Sequence, residues 1–328
     1  MKKLTLLLVF LALILAGCGA AEPVEADLFA MDTVMNLRIW GDREDLRTAT
    51  EEIHRLDTLL SAANSGSSVS QLNSAGMAKL SGDLLTLTRD AVSLSEKTSG
   101  AFDPTVYPLV CLWGFPSDEY HVPTQEELDK VLPLIGTEHI RLNGDAVTLD
   151  PGTMLDFGAV AKGYTSQRCA DLLLERGVQA ALLNLGGNVQ TVGTKPDGSS
   201  WTVGIADPEN PTDAIATLTF SGSMALVTSG GYQRYFEFLG NSYHHILDPE
   251  TGMPAENGLA SVTVLCDNGE IADAYSTALF VIGLDKAVEF WKSQNDFEAV
   301  FIMNDRTIYA TAGCSDLLGN CEFTVIER

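Results

Sequence analysis

Basic residues are scarce in this sequence, 20 Lys and Arg against 44 Asp and Glu, for a formal charge of −24. A surface of that sign repels nucleic acid and anionic lipid, which argues against either as a binding partner. It also repels phosphate-bearing substrates at long range, so a phosphate site here needs local help from a metal ion or a helix terminus. Cysteine is scarce too: with Cys18 set aside, Cys111, Cys169, Cys266, Cys314 and Cys321 remain, without a C-x-x-C or a paired-histidine spacing. That pattern argues against a zinc site. Cys314 and Cys321 flank a short loop and leave open either a disulfide or two buried thiols. Low-complexity tracts and internal repeats are lacking, and the apolar run Leu4–Leu15 is too short to span a bilayer comfortably as a permanent helix.

That run follows Lys2 and Lys3 and leads into Ala16, Gly17 and Cys18, the layout of a secretory signal. Its Leu-Ala-Gly-Cys ending resembles a bacterial lipobox. This implies a signal peptide over residues 1–17, a lipid on Cys18 and residence on the extracytoplasmic face of the cell membrane. Residues 18–26 then read as a tether and 27–328 as the catalytic domain. A hydrophobic fraction of 45% suits a globular enzyme of one large domain or two intimately packed ones.

Val34–Trp40 alternates, with Met35, Leu37 and Ile39 on one face, and predicts a strand; Leu46, Ala49, Ile53, Leu56 and Leu60 keep helical spacing. Asn64–Ser70 reads as a polar loop and Leu84–Leu94 as a second helix. Thr124 with Glu127 makes a capping box for a third, and "HIRLNGDAVTLD" is a hairpin turning at Asn143-Gly144. "AALLNLGGNV" reads as a buried strand ending in a glycine turn. Strands follow over Val203–Ala206, Ala216–Phe220, Tyr232–Leu239 and Ser261–Leu265, then a helix from about Ile271 to Ile282; two strands and a helix close the chain. Adjacent strands mixed with helices favour an α+β fold of mixed, largely antiparallel sheets with packed helices, in two intimately associated subdomains.

Four stretches concentrate Gly, Pro and Asp among apolar residues, the composition of a shaped site on a rigid frame. They are "TSGAFDPTVYPLVCLWGF" from Thr98, "LDFGAVAKGY" from Leu155, "HHILDPETGMP" from His244 and "IADAYSTALFVIG" from Ile271. In the second, a small-residue turn with Lys162 opens a helix that should stop at Gly177, and backbone N–H groups at such a start suit an anion. It is not a Walker loop, because Gly158 and Gly163 flank the lysine and no GKS or GKT follows. In the fourth, Asp273 and Thr277 stand at i and i+4 on one helix face, where a carboxylate and a hydroxyl can converge on a hard cation such as magnesium. The same spacing is common on plain solvated faces.

Together with "MDTVMNLRIW" from Met31, "LLNLGGNV", "WTVGIADP" and "ALVTSGGYQRYF", these stretches resemble in order and spacing the FAD:protein FMN transferase family, the ApbE-like flavin transferases. The resemblance implies magnesium-dependent transfer of the FMN moiety of FAD to a threonine or serine hydroxyl of an acceptor flavoprotein, with release of AMP. By the same resemblance Met31, Ala101, Phe102, Asp103, Asp156, Lys162 and Ile246 contact the flavin dinucleotide, while the Ala159 carbonyl, Asp273 and Thr277 hold magnesium. Ser276 stands where some relatives have a further ligand. His245, ahead of "ILDP", is the candidate general base because histidine titrates near neutrality; His244 is its rival. The implied partners are FAD, an acceptor subunit or domain of a membrane redox system, and the membrane through the lipid anchor.

Many relatives carry an aromatic residue after the Leu-Ser that follows the first long helix, where it stacks on the flavin. This chain has Ala62 and Ala63 there. The departure keeps in view a magnesium-dependent FAD pyrophosphatase giving FMN and AMP. The lipobox and acidic charge also fit a flavin-binding lipoprotein without turnover.

Overall fold

The computed structural model describes residues 22–328; the signal peptide over 1–17 and Cys18 lie outside the described residues. Strand β1, Val24–Ala30, pairs antiparallel with β2, Thr33–Ile39, in unbroken register from Val24↔Ile39 to Ala30↔Thr33. Residues 24–26, expected to be tether, are therefore part of a sheet, with Glu25 on its outer side 2.7 Å from Arg38. As the alternation implies, β2 buries Met35, Leu37 and Ile39.

The helical spacing that follows gives α1, Arg43–Leu60, started by an Asp42 capping box and burying Ala49, Ile53, Leu56 and Leu60. The polar loop ends sooner than expected. Helix α2, Ser68–Ala75, begins where Ser67 Oγ accepts the Ser70 N–H, and it buries only Val69 and Leu72, too few positions for periodicity to announce it. Next come β3, Met77–Lys79, α3, Gly82–Lys97, α4, Tyr107–Leu112, α5, Gln125–Val131, and the hairpin of β4, Ile140–Asn143, with β5, Ala146–Leu149. Helix α5 starts at the expected Thr124/Glu127 box. Strands β3, β5 and β4 make a small antiparallel sheet.

Helix α6, Ala161–Glu175, leads into the main sheet, which runs β1-β2-β6-β7-β10-β13-β14-β15-β17. Its later strands are β6, Ala180–Leu185, β7, Asn188–Gly193, β10, Met224–Gly230, β13, Leu259–Cys266, β14, Phe297–Met303, β15, Ile308–Thr311, and β17, Thr324–Ile326. All junctions are antiparallel except β15–β17. Both faces are covered, which is why "AALLNL" shows so little polar alternation. Ala181, Leu183 and Leu185 meet Ala49 and Ile53 of α1 and Cys169 and Leu173 of α6. Ala180 and Leu182 meet Trp201 and Leu218 of a second small sheet, formed by β8, Trp201–Ala206, β9, Ala214–Phe220, and β16, Leu318–Gly319.

Helix α7, Gly269–Ser293, packs along β10 and β13 and breaks at Gly283, whose φ of 77° and ψ of 168° separate the helix expected to end near Ile282 from a second one. A hairpin of β11, Tyr235–Phe238, and β12, Asn241–His244, seats Phe236 and Tyr243 on Trp113. The fold is α+β, as the order of elements implied. Cys314 and Cys321 are free thiols, like the other described cysteines. Among the described residues no helix is long and apolar enough to cross a membrane.

Candidate active site

Two hairpin turns set the mouth of a cleft. Between β1 and β2 the chain reverses through Met31 and Asp32, both left-handed (φ 47° and 58°); between β6 and β7 it reverses through Gly186 and Gly187 (φ 65° and 91°). Two-residue turns of this kind match the twist of the strands they join. For Met31 and Asp32 the conformation is strained by about 1–3 kcal/mol each, and Met31 N–H donates to Asp57 Oδ1 (3.0 Å), which anchors the turn.

Opposite these turns stand the segment after Thr98, the turn before α6, the exit of β12 and one face of α7. They enclose about 910 Å³, and Met31, Ala101, Phe102, Asp103, Asp156, Ala159, Lys162, His245, Ile246, Asp273 and Thr277 all line that space. The four Gly-, Pro- and Asp-rich stretches are brought to one place. Phe102, only 2% exposed, belongs to the main core as well as to the wall. Ser276 is not on the wall: its hydroxyl donates to the Asp273 carbonyl (2.9 Å) and lies 2.8 Å from Ser229 Oγ, deep between α7 and β10.

Asp273 is placed by a close crossing of α6 and α7. A Cβ on Gly163 would stand 2.1 Å from the Gly269 carbonyl oxygen and 2.5 Å from Asp273 Cβ, so glycine is required there. The approach lets Gly163 N–H donate to Asp273 Oδ2 (2.7 Å). In a regular helix that amide would return to the carbonyl four residues back; its diversion leaves the Ala159 carbonyl free of that bond. Thr277 Oγ1, 3.2 Å from Ser229 Oγ, completes a set of carboxylate, hydroxyl and carbonyl oxygens on the cleft wall. Such donors fit magnesium, which keeps coordination positions for phosphate oxygens and water. Among the described residues no three His, Cys, Asp or Glu side chains converge to hold a metal. A cation here therefore relies on neutral oxygens and substrate to complete its shell. Burial raises the pKa of the Asp273 carboxyl, against the Lys162 charge and the Gly163 amide.

The two histidines part company. His245 N–H donates to the Arg234 carbonyl (3.0 Å) and its Nδ1 lies 3.1 Å from the same oxygen. A carbonyl only accepts, so Nδ1 carries the proton and Nε2 keeps its lone pair. Burial lowers the pKa of His245 to about 4, against that carbonyl and with the charge of Lys162. The titration near neutrality expected from sequence is thus not what the fold delivers; the imidazole is neutral at physiological pH. His244 points away from the cleft, with Nε2 3.2 Å from the Ala255 carbonyl oxygen, its ring edge-on to Phe280 and Nδ1 buried without a partner.

Asp156 Oδ1 accepts the Gly158 N–H (2.8 Å); burial raises this carboxyl, against that amide and the charges of Lys162 and Arg234. Asp103 is raised by burial too, against bonds from the Thr105 hydroxyl and amide. Arg234 and Asn188 stand inside "ALVTSGGYQRYF" and "LLNLGGNV" without a sequence signal of their own. Both line the cleft. Asn188 sits directly after the Gly186-Gly187 turn with Oδ1 3.0 Å from Ser166 Oγ. The available signal was proximity to a glycine turn within the quoted phrases.

A model of the ApbE family matches residues 31–301. The chain is 32% identical to the FAD:protein FMN transferase of Treponema pallidum, with 93% of each protein covered. It is 34% identical to one from Klebsiella pneumoniae over 85% of this chain and 88% of the relative. Among solved structures, the ApbE protein of Thermotoga maritima superposes with a TM-score of 0.85 at 30% identity, covering 89% of this chain and 98% of that one. A mutant of the flavin transferase ApbE from Vibrio cholerae, with glycine in place of a histidine, superposes with a TM-score of 0.79 at 30% identity, covering 90% of this chain and 100% of that one. Similarity of this extent, in sequence and in architecture alike, assigns the chain: it belongs to the ApbE family.

Proposed function

We infer that the chain is an FAD:protein FMN transferase that moves FMN from FAD onto a threonine or serine hydroxyl of an acceptor flavoprotein and releases AMP. The observation that carries this reading is one cleft holding a neutral imidazole with a free Nε2, a hard-oxygen donor set and Lys162. Phosphoryl transfer asks for a positioned nucleophile, a proton acceptor and neutralisation of the diphosphate. His245 Nε2 takes the acceptor proton as the hydroxyl oxygen bonds to the phosphorus on the FMN side. The bond from that phosphorus to the bridging oxygen breaks, and AMP leaves with the oxygen and the electron pair. Magnesium, held by Asp273, Thr277 and the Ala159 carbonyl, supplies charge neutralisation when bound. Lys162, in the first turn of α6, adds a fixed positive charge. Asp156 and the wall formed by Met31, Ala101, Phe102, Asp103 and Ile246 hold the dinucleotide.

Ala62 and Ala63 are not part of the wall; of the aromatic side chains that are, Phe102 and Phe115 are almost fully buried, so flavin stacking falls to the half-buried Tyr232. The lipid anchor at Cys18 and an acceptor in a membrane redox system belong to the same proposal and rest on the Leu-Ala-Gly-Cys sequence. The test is incubation with FAD, magnesium and a threonine-bearing acceptor domain. AMP and flavin-labelled acceptor are expected in equal amounts. AMP with free FMN and no label would assign hydrolysis, and no AMP would leave a flavin-binding protein without turnover.

A further inference from the structure

Five aspartates, Asp32, Asp103, Asp118, Asp156 and Asp273, line the cleft against two permanent cations, Lys162 and Arg234. The charge of Lys162 acts on Asp273, Asp156 and His245; that of Arg234 acts on Asp156 and His245. Arg234 stands at the histidine end, since its own backbone carbonyl takes the His245 Nδ1–H.

Arg234 is held ready for a ligand. One Nη2 N–H donates to the Phe115 carbonyl, and the guanidinium carbon lies 5.7 Å from the centre of the Phe115 ring. The other partner is Asp118 at 3.8 Å, a largely exposed carboxylate, and pairs of that kind contribute little. Of the five N–H donors of a guanidinium, most remain unengaged. The backbone of the same residue fixes the proton acceptor, since its carbonyl takes both the His245 N–H and the Nδ1–H. The His245 ring also stands edge-on to Phe115, 6.4 Å between centres, so guanidinium and imidazole share one rigid neighbour.

We propose that Arg234 binds the phosphoryl group on the FMN side of the dinucleotide, with its free N–H donors on the oxygens that gain charge as the acceptor hydroxyl attacks beside His245. The proposal rests on the transferase reading. A planar fork of donors matches two phosphate oxygens at once, which a lysine does not.

FMN and riboflavin differ by that one phosphate, which makes them the probes. Their affinities are measured by fluorescence titration of the full chain in chelator, beside thermal melting and single-turnover AMP release from FAD with magnesium and acceptor. Arg234→Gln should bind riboflavin as the wild type does, bind FMN about tenfold more weakly, and release AMP roughly a hundredfold more slowly, the scale of losing one charge-stabilising donor. Arg234→Lys should recover part of the FMN affinity and less of the rate. Equal losses for riboflavin and FMN with a lowered melting temperature would make Arg234 a brace for the Phe115 loop and overturn the proposal. Unchanged FMN affinity together with an unchanged rate would overturn it as well. FMN binding is read without turnover, so a wild type that binds FMN and transfers nothing counts against the transferase reading alone.

Discussion

A histidine whose pKa is drawn down to about 4 is always in its accepting form at neutral pH, but it holds a proton weakly once it has one. With His245 as acceptor, the acid limb of kcat/KM should fall near pH 4 instead of near the ordinary histidine value of about 6.5. The stability linkage has the same origin. Because the folded pKa lies below the unfolded one, the unfolded chain binds the proton first as pH falls; the contribution is complete above about pH 6.5 and declines towards pH 4. His245→Asn is expected to keep FAD affinity and slow single-turnover transfer by about a hundredfold or more. His244→Asn, altering a residue packed on Phe280, should lower the melting temperature and leave the rate near that of the wild type. A normal rate in His245→Asn would remove the residue from the chemistry. Asp273 gives a second test. Magnesium should raise the melting temperature of the wild type by mass action on the folded state, and Asp273→Asn should abolish both that increment and AMP release. Undiminished AMP release in excess chelator would refute the cation site. Composition marked the four stretches, whose Gly, Pro and Asp have no use in a plain strand or helix, and spacing marked the Asp273/Thr277 pair; the other residues expected on the site came from the family resemblance those stretches carry. Arg234 was not legible: its partner Phe115 lies more than a hundred residues away in sequence, and an arginine inside the strand expected over Tyr232–Leu239 reads as a surface charge.

At the scale of elements, the site depends on how closely two helices cross. Gly163→Ala places a methyl group against the Gly269 carbonyl and Asp273, so α6 and α7 must move apart. A loss of about 1–3 kcal/mol in urea unfolding is expected, with magnesium affinity reduced further than stability alone explains, because Gly163 N–H would leave Asp273. Retained magnesium affinity in a destabilised variant would separate the crossing from the donor set. Periodicity revealed the long helices α1 and α3, since each carries a stripe of several buried apolar residues; the first half of α7 is buried on nearly every side and shows no such stripe. Periodicity missed α2, with two such residues, and α4, where Pro108 reads as a breaker although proline is welcome in a first helical turn. It also missed β1, whose alternate residues are only half-buried because the strand lies at the edge of the sheet.

For the molecule as a whole, a charge of −24 gives no electrostatic attraction to an anionic bilayer, so the proposed residence there rests on the proposed lipid at Cys18 alone. The sheet starts at Val24, closer to Cys18 than the expected tether allowed. With a lipid on Cys18, residues 19–23 are all that separate anchor from fold, and five residues reach at most roughly 17 Å when fully extended. The enzyme is then on a short leash. It searches for acceptors in two dimensions, at the raised local concentration that shared attachment provides, and a hydroxyl far above the lipid headgroups is out of bounds however well its sequence suits the cleft. Cys18→Ala should label a soluble acceptor domain at the wild-type rate while losing membrane retention, as fractionation and in-gel flavin fluorescence would show. A flexible insert of thirty residues between Glu22 and Pro23 should widen the set of membrane proteins that become flavinylated. With that anchor in place, the position of one edge strand would set the height above the membrane at which this chemistry operates.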